Sequence, residues 1–284
     1  VAWQKARAAA GVQQKSRQYW LDALTPALPR SGFTPDHPRS PNPSSRAVLI
    51  ECELDKALSS RLRGFAVGHG TTLFSVVLSS VFAMLYRHSG QEEAVVGTTV
   101  SRRDHPLLER QVGCYLDTLA LRGLARAHDT AALLIDRTAH AWQEALAHKD
   151  YPVESLLDDL RLDVPAGRPP LFDVLVDYVP GPGLATGLEA PGELELSELA
   201  LDVEHAHHDT MFLIDESDDG TTLSIRLVFN AELFTAETVA SVRTRLLAIL
   251  GWLARDGETT LGEVDLIHKP SGKSRRLHVN LSTD

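Results

Sequence analysis

Apolar and polar residues alternate along several stretches of this chain. Val48, Ile50, Cys52 and Leu54 stand between Leu49, Glu51 and Glu53, the period-two pattern of a strand with one buried face. From Thr72, which is placed to cap a helix, Leu73, Val76, Val77, Val81, Met84 and Leu85 recur at helical spacing, with Phe74, Leu78 and Phe82 on a second side, so this helix is expected to be nearly buried. Ala94 to Val100 and Tyr115 to Leu121 read as strands, and Asp129 as the cap of a helix carrying Ile135, Trp142 and Leu146. The order from Val48 onward is thus β, α, α, β, β, α. Phe172, Val174, Val176 and Tyr178 alternate on another strand, followed by a Gly/Pro-rich loop from Pro180 to Gly192. Residues 208–216 and 221–229 predict a hairpin with Leu223, Ile225, Leu227 and Phe229 inside, and a last amphipathic helix starts near Thr235. Strands interleaved with helices predict an α/β architecture, a mixed sheet covered by helices.

The flanks differ. Val1 to Leu24, without proline, reads as a helix, whereas residues 25–45 hold Pro26, Pro29, Pro35, Pro38, Pro41 and Pro43 and read as a linker running over the surface. The body is expected over residues 46–264, with 265–284 a further linker. The chain begins at Val1, which suggests a piece cut from something longer.

Composition narrows the function classes. With 284 residues and 43% apolar content there is enough material for a sizeable core. No run approaches the roughly 18 apolar residues of a membrane span and no secretory pattern opens the chain, so a cytoplasmic address is the default. A formal net charge of −10 with scattered Lys and Arg argues against nucleic acid. Cys52 and Cys114, both in apolar strand-like surroundings, make neither a disulfide framework nor a zinc site. His205, His207 and His208 form the one local histidine cluster. They are read as residues leading into a strand, the other possibility being metal coordination by imidazoles two apart.

Several short strings then occur in a recognisable order. Val1-Ala2-Trp3, Tyr19-Trp20 and Asp36-His37-Pro38-Arg39 come first. Val96-Gly97-Thr98 follows with Arg103, His105 and Pro106, then Val112-Gly113-Cys114-Tyr115-Leu116-Asp117-Thr118-Leu119 with Arg122. His148-Lys149-Asp150-Tyr151-Pro152-Val153-Glu154, Pro169-Pro170-Leu171-Phe172, Asp209 and Glu232-Leu233-Phe234 complete the series. In this order they resemble the second half of the condensation domains of nonribosomal peptide synthetases. Asp117 stands where that family usually has Asn, and Lys149 and Val153 also depart from it.

The resemblance implies one half of a chloramphenicol acetyltransferase-like pseudo-dimer with a catalytic tunnel between its halves. It also implies amide-bond formation between donor and acceptor thioesters carried on phosphopantetheine arms. The implied partners are the N-terminal condensation subdomain, upstream and downstream peptidyl carrier domains and an adjacent adenylation domain, toward which 265–284 would lead. The family's His-His-x-x-x-Asp-Gly motif is absent: the pair His207-His208 runs on to Asp209, Phe212 and Leu213. No catalytic residue is therefore assigned, no metal is expected, and the chain by itself is expected to be inactive. Asp209 matches a strand-start landmark instead.

By resemblance, Arg103 would hold the aspartate of the missing motif, the alternative being a solvated arginine beside Arg102. Asp117 and Thr118 would lie near the tunnel, where Asp117 either favours an amine or faces water. His148, Asp150, Pro152 and Glu154 form a motif at a helix end, either functional or a structural corner, with Glu154 capping the next helix. Two other readings stay open: a non-catalytic condensation-like module that recruits carrier proteins or tailoring enzymes, and a relative such as an epimerisation domain or a coenzyme-A-dependent acyltransferase.

Overall fold

A computed structural model of the chain describes residues 12–25, 31–42, 44–109, 111–179, 205–217, 219–255 and 257–266. The Val1-Ala2-Trp3 string, the Pro180–Gly192 loop and nearly all of the 265–284 segment lie outside the described residues. Twelve regular elements follow in the order α1 (Val12–Leu24), β1 (Ala47–Leu54), α2 (Lys56–Gly68), α3 (Leu73–Ser89), β2 (Glu93–Ser101), β3 (Leu116–Leu124), α4 (Ala131–Ala147), α5 (Val153–Leu160), β4 (Val174–Val179), β5 (Thr210–Glu216), β6 (Leu223–Asn230) and α6 (Ala236–Leu253). The six strands form one mixed sheet in the order β1-β6-β5-β4-β2-β3. β4 runs parallel to both β2 and β5, and the other pairings are antiparallel.

The alternation in β1 does what its pattern requires. Val48, Ile50, Cys52 and Leu54 are buried and pair with the fully buried Phe229, Leu227, Ile225 and Leu223 of β6. This face receives α3, α4 and α6. In α3 every residue from Phe74 to Leu85 is buried, and its serine hydroxyls are satisfied within the helix, Ser79 donating to the Ser75 carbonyl at 2.7 Å. Thr72 caps α3 by accepting the Ser75 amide at 3.2 Å, and Gly90 closes it in the left-handed conformation with φ 74°. Two glycines allow close packing on the sheet: a β-carbon on Gly123 would lie 2.2 Å from the Phe82 ring, and one on Gly97 2.1 Å from the Phe172 ring.

Several expectations are corrected. The sequence pattern assigns no residues to α2, because it buries only a narrow stripe of Ser59, Leu62 and Ala66; Asp55 starts it by accepting the Leu58 amide at 2.7 Å. Thr130, not Asp129, caps α4. Asp129 is buried and grips Arg137 through both oxygens, each at 2.9 Å, while accepting the Arg126 amide. In the proline-rich segment, the described residues 31–42 form no helix or strand but do not merely cross the surface: Ser31 and Phe33 are buried, and the Phe33 ring meets His88, Phe212 and Phe229. Cys52 is a buried strand residue whose thiol burial pushes up to about 11, whereas Cys114 is exposed and precedes its strand. Among the described residues no single helix is long and apolar enough to cross a membrane.

Candidate functional site

The C-terminal end of β2, the start of β3 and the turn between α4 and α5 converge. Because β3 pairs antiparallel with β2 and α4 runs back from the end of β3, residues 101–104, 115–118 and 148–152 meet at one end of the sheet. Arg102 is the hub. Its guanidinium donates to Asp117 Oδ2 at 2.6 Å and to Asp150 Oδ1 at 3.4 Å, with side-chain exposures of 22%, 11% and 10% respectively. Beside it Lys149 reaches Asp104 at 2.5 Å and the Ser101 carbonyl at 3.1 Å. Asp117 stands opposite Val100 on the side of the sheet that carries the helices, and its other oxygen accepts the Thr118 amide at 2.8 Å. It neither faces water nor offers a free charge. The sequence assigns Arg102 no role, because nothing in a single sequence shows that β2 and the distant residue 150 share a corner.

Arg103 turns the other way. It donates to the carbonyls of Leu108, Gln111 (2.9 Å) and Gly113 (3.1 Å), and its guanidinium lies 4.4 Å from the centre of the Tyr115 ring. A single cation thus satisfies three carbonyls of a loop that has no ladder of its own. The loop so shaped presents Leu107 and Val112 outward, and Leu116 beside it is exposed as well.

The motif around His148 fastens α1. His148 terminates α4, stacks on Tyr19 with ring centres 4.2 Å apart, and its carbonyl accepts the Trp20 indole N–H at 2.9 Å. Arg17 grips Asp159 of α5 at 2.7 and 2.9 Å, and Tyr151 donates to the same carboxylate, which these bonds hold below its ordinary pKa. Burial raises the Tyr19 phenol to about 12. Pro152 takes the position before α5; Glu154 lies in the first turn, where its charge suits the helix dipole, but α5 has no side-chain cap. Geometrically, this motif is a corner that docks one helix on another.

At the opposite end of the sheet Arg39 forms a two-bond pair with Asp209, which is 7% exposed, and also reaches the Gly167 carbonyl at 3.0 Å. Arg168 pairs in the same manner with Asp173. Two strings far apart in sequence, Asp36–Arg39 and Asp209, are therefore one structural clamp. Asp36 accepts the Thr235 amide at 2.8 Å and the Thr238 hydroxyl at 2.9 Å, pinning the same segment to the start of α6. A cleft of about 190 Å³ lies alongside, between Ser31 and the 162–173 segment.

The face of the sheet turned away from α3, α4 and α6 carries Thr99 of β2, Thr118 of β3 and Asp177 of β4. Thr99 and Thr118 are directly opposite each other. Asp177 accepts the Thr99 amide at 2.8 Å and its hydroxyl at 3.0 Å. His208 leads into β5 with its ring 5.1 Å from Phe172, and burial lowers its pKa. No group of three or more His, Cys, Asp or Glu placed to hold a metal occurs among the described residues, and His205 bonds Ser45 instead.

Known proteins are similar to this chain in sequence and share its fold. Residues 1–274 match the Condensation domain family. Surfactin synthase subunit 1 of Bacillus subtilis (strain 168) is 30% identical over 273 residues, 96% of this chain but 7% of that protein. Tyrocidine synthase 3 of Brevibacillus parabrevis is 28% identical over 279 residues, 98% of this chain and 4% of that one. The chain thus spans a small fraction of the curated relatives it matches. Among solved structures, the complex of the X-domain and OxyB from teicoplanin biosynthesis superposes with a TM-score of 0.82 at 24% identity, covering 95% of this chain and 60% of that one. The first condensation domain of the calcium-dependent antibiotic synthetase, bound to a substrate analogue, gives 0.73 at 19% identity, covering 93% of this chain and 56% of that one. The mixed sheet is therefore one that condensation domains and X-domains share, and with a family match reaching from the first residue to position 274, the chain belongs to the condensation-domain family.

Proposed function

We propose that this chain is the C-terminal part of a nonribosomal peptide synthetase condensation domain and takes part in amide-bond formation between donor and acceptor thioesters. The two thioesters are borne by the phosphopantetheine arms of upstream and downstream carrier domains, with an adenylation domain adjacent. The family match over residues 1–274 carries this reading. The surface supports it: the loop that Arg103 organises holds Leu107, Val112 and Leu116 at 73%, 104% and 62% exposure, an apolar group suited to contact with another protein body. In this reading that body is the N-terminal subdomain, which brings the His-His-x-x-x-Asp-Gly motif this chain lacks. The chain's own part is to form one wall of the tunnel on the face of Thr99, Thr118 and Asp177.

A second reading, a module that recruits carrier proteins or tailoring enzymes without catalysis, draws on the likeness to the X-domain solved in complex with OxyB. One assay separates the two. The full-length protein is incubated with carrier proteins bearing donor and acceptor aminoacyl groups, and dipeptidyl thioester is sought by mass spectrometry. Product above the carrier-only background is expected. Its absence, with both carriers verified as loaded, would refute the catalytic reading and leave recruitment.

A further inference from the structure

The ladder between β2 and β4 is short. The two strands share only the Gly97–Leu175 register before they part, whereas β4 and β5 stay paired from Val174 to Val179. Beyond that point a side chain takes over from the backbone: the Asp177 carboxylate receives both the amide and the hydroxyl of Thr99, so each of its oxygens has one bond and a fixed direction. Thr118 lies across from Thr99 on the same face, and exposed apolar residues stand at the end of β4, Val179 at 57%, and at the start of β3, Leu116, opposite Ser101, at 62%. The result is a fork in the sheet, on the face away from the helices, with a half-buried carboxylate at its branch.

Six other acidic side chains at or near the strands have cations. Asp215 holds Arg226, Glu216 holds Arg63, Asp173 holds Arg168, Asp209 holds Arg39, and Asp117 and Asp150 share Arg102. Asp177 forms no ion pair with any described residue; its partners are the two donors of Thr99. Burial lowers the pKa of its neighbour His208, against the pull of Asp177 in the other direction, and the two form no ion pair. A carboxylate that two neutral donors already orient, left with its charge uncompensated in a partly desolvated place, is suited to an ammonium group arriving from outside.

We infer that Asp177 binds the amine of the acceptor aminoacyl group, and that Thr99 sets its direction. This rests on the function proposed above and names the acceptor-side residue within it. Of the two readings open for Asp117, favouring an amine or facing water, the first needs a free charge; Arg102 neutralises Asp117 on the helix side, whereas Asp177 on the other side has no ion pair among the described residues.

The test uses the full-length protein and two ligands, alanyl-aminopantetheine, the amide isostere of an alanyl thioester, and its N-acetyl derivative, which has no charge. At pH 7 the free amine is largely protonated. Titration calorimetry should show the amine ligand binding about tenfold more tightly than the acetylated one, a typical effect of one charge-assisted contact. Asp177→Asn, which keeps an oxygen for the Thr99 amide, should bind both ligands at the affinity of the acetylated one. Thr99→Val should retain part of the preference. Equal affinities in the wild type, a preference that survives in Asp177→Asn, or binding of neither ligand would overturn the inference. The carrier assay stands apart from it: dipeptide formed without an amine preference removes Asp177 and leaves the function, while a preference without dipeptide does the reverse.

Discussion

Replacing Arg102 with alanine tests the corner that holds β2, β3 and the α4–α5 turn together. The substitution leaves Asp117 and Asp150, 11% and 10% exposed, facing the space that one guanidinium filled. At an effective dielectric near 20, each cation–carboxylate contact at these distances is worth about 5–6 kcal/mol before desolvation is subtracted. Breaking a buried pair from one side typically costs about 3–5 kcal/mol, because the orphaned charge stays desolvated. Here two carboxylates lose their contact with Arg102, but Arg102 is itself 22% exposed, which admits water and places the expected loss near the lower limit, about 3 kcal/mol. Asp117→Asn removes one charge yet keeps an acceptor for the Thr118 amide and for Arg102, so it should cost about 1 kcal/mol. In the double variant the two losses should fall short of their sum by more than about 1 kcal/mol, since the groups are in contact. Urea unfolding of the full chain followed by circular dichroism measures all three. A loss below about 0.5 kcal/mol for Arg102→Ala, or strict additivity in the double variant, would show that Arg102 does not hold this corner together.

Two further outcomes follow from packing and titration. Gly97→Ala places a β-carbon 2.1 Å from the Phe172 ring, so it should destabilise by about 1–3 kcal/mol, and Phe172→Leu in the same chain should restore part of the loss; no rescue would mean that the ring is not what excludes the side chain. His88 accepts the Thr34 amide at Nε2 (2.9 Å), which requires a neutral ring, and burial, followed by Arg245, lowers its pKa from 6.5. The unfolded chain therefore takes up this proton first: the contribution is complete above about pH 6.5 and is lost as pH falls through the lowered folded value, a direction His208 shares through its burial. The melting temperature should fall between pH 7.5 and pH 5, and less steeply in His88→Gln; parallel slopes would remove His88 from the account.

The sequence by itself determined whatever depends on local periodicity and local chemistry. β1 and β6 carry their buried faces where the alternation puts them, α3 is buried along its length, and Thr72 and Thr235 cap their helices, since neighbours a few residues apart decide each of these. The ordered strings likewise sufficed for the family. Tertiary structure alone decided which charges meet. Arg102 and Asp150, Arg39 and Asp209, and Thr99 and Asp177 are 48, 170 and 78 positions apart, and they become partners only when strand order brings them together. Asp129 illustrates the same limit: its side chain has the chemistry of a cap, but Arg137 offers two charge-assisted bonds in a buried place, and the cap passes to Thr130. Asp117 and Asp177 end with opposite roles for the same reason, since the strand pleat and the nearest arginine, neither visible in a linear string, decide which carboxylate is neutralised.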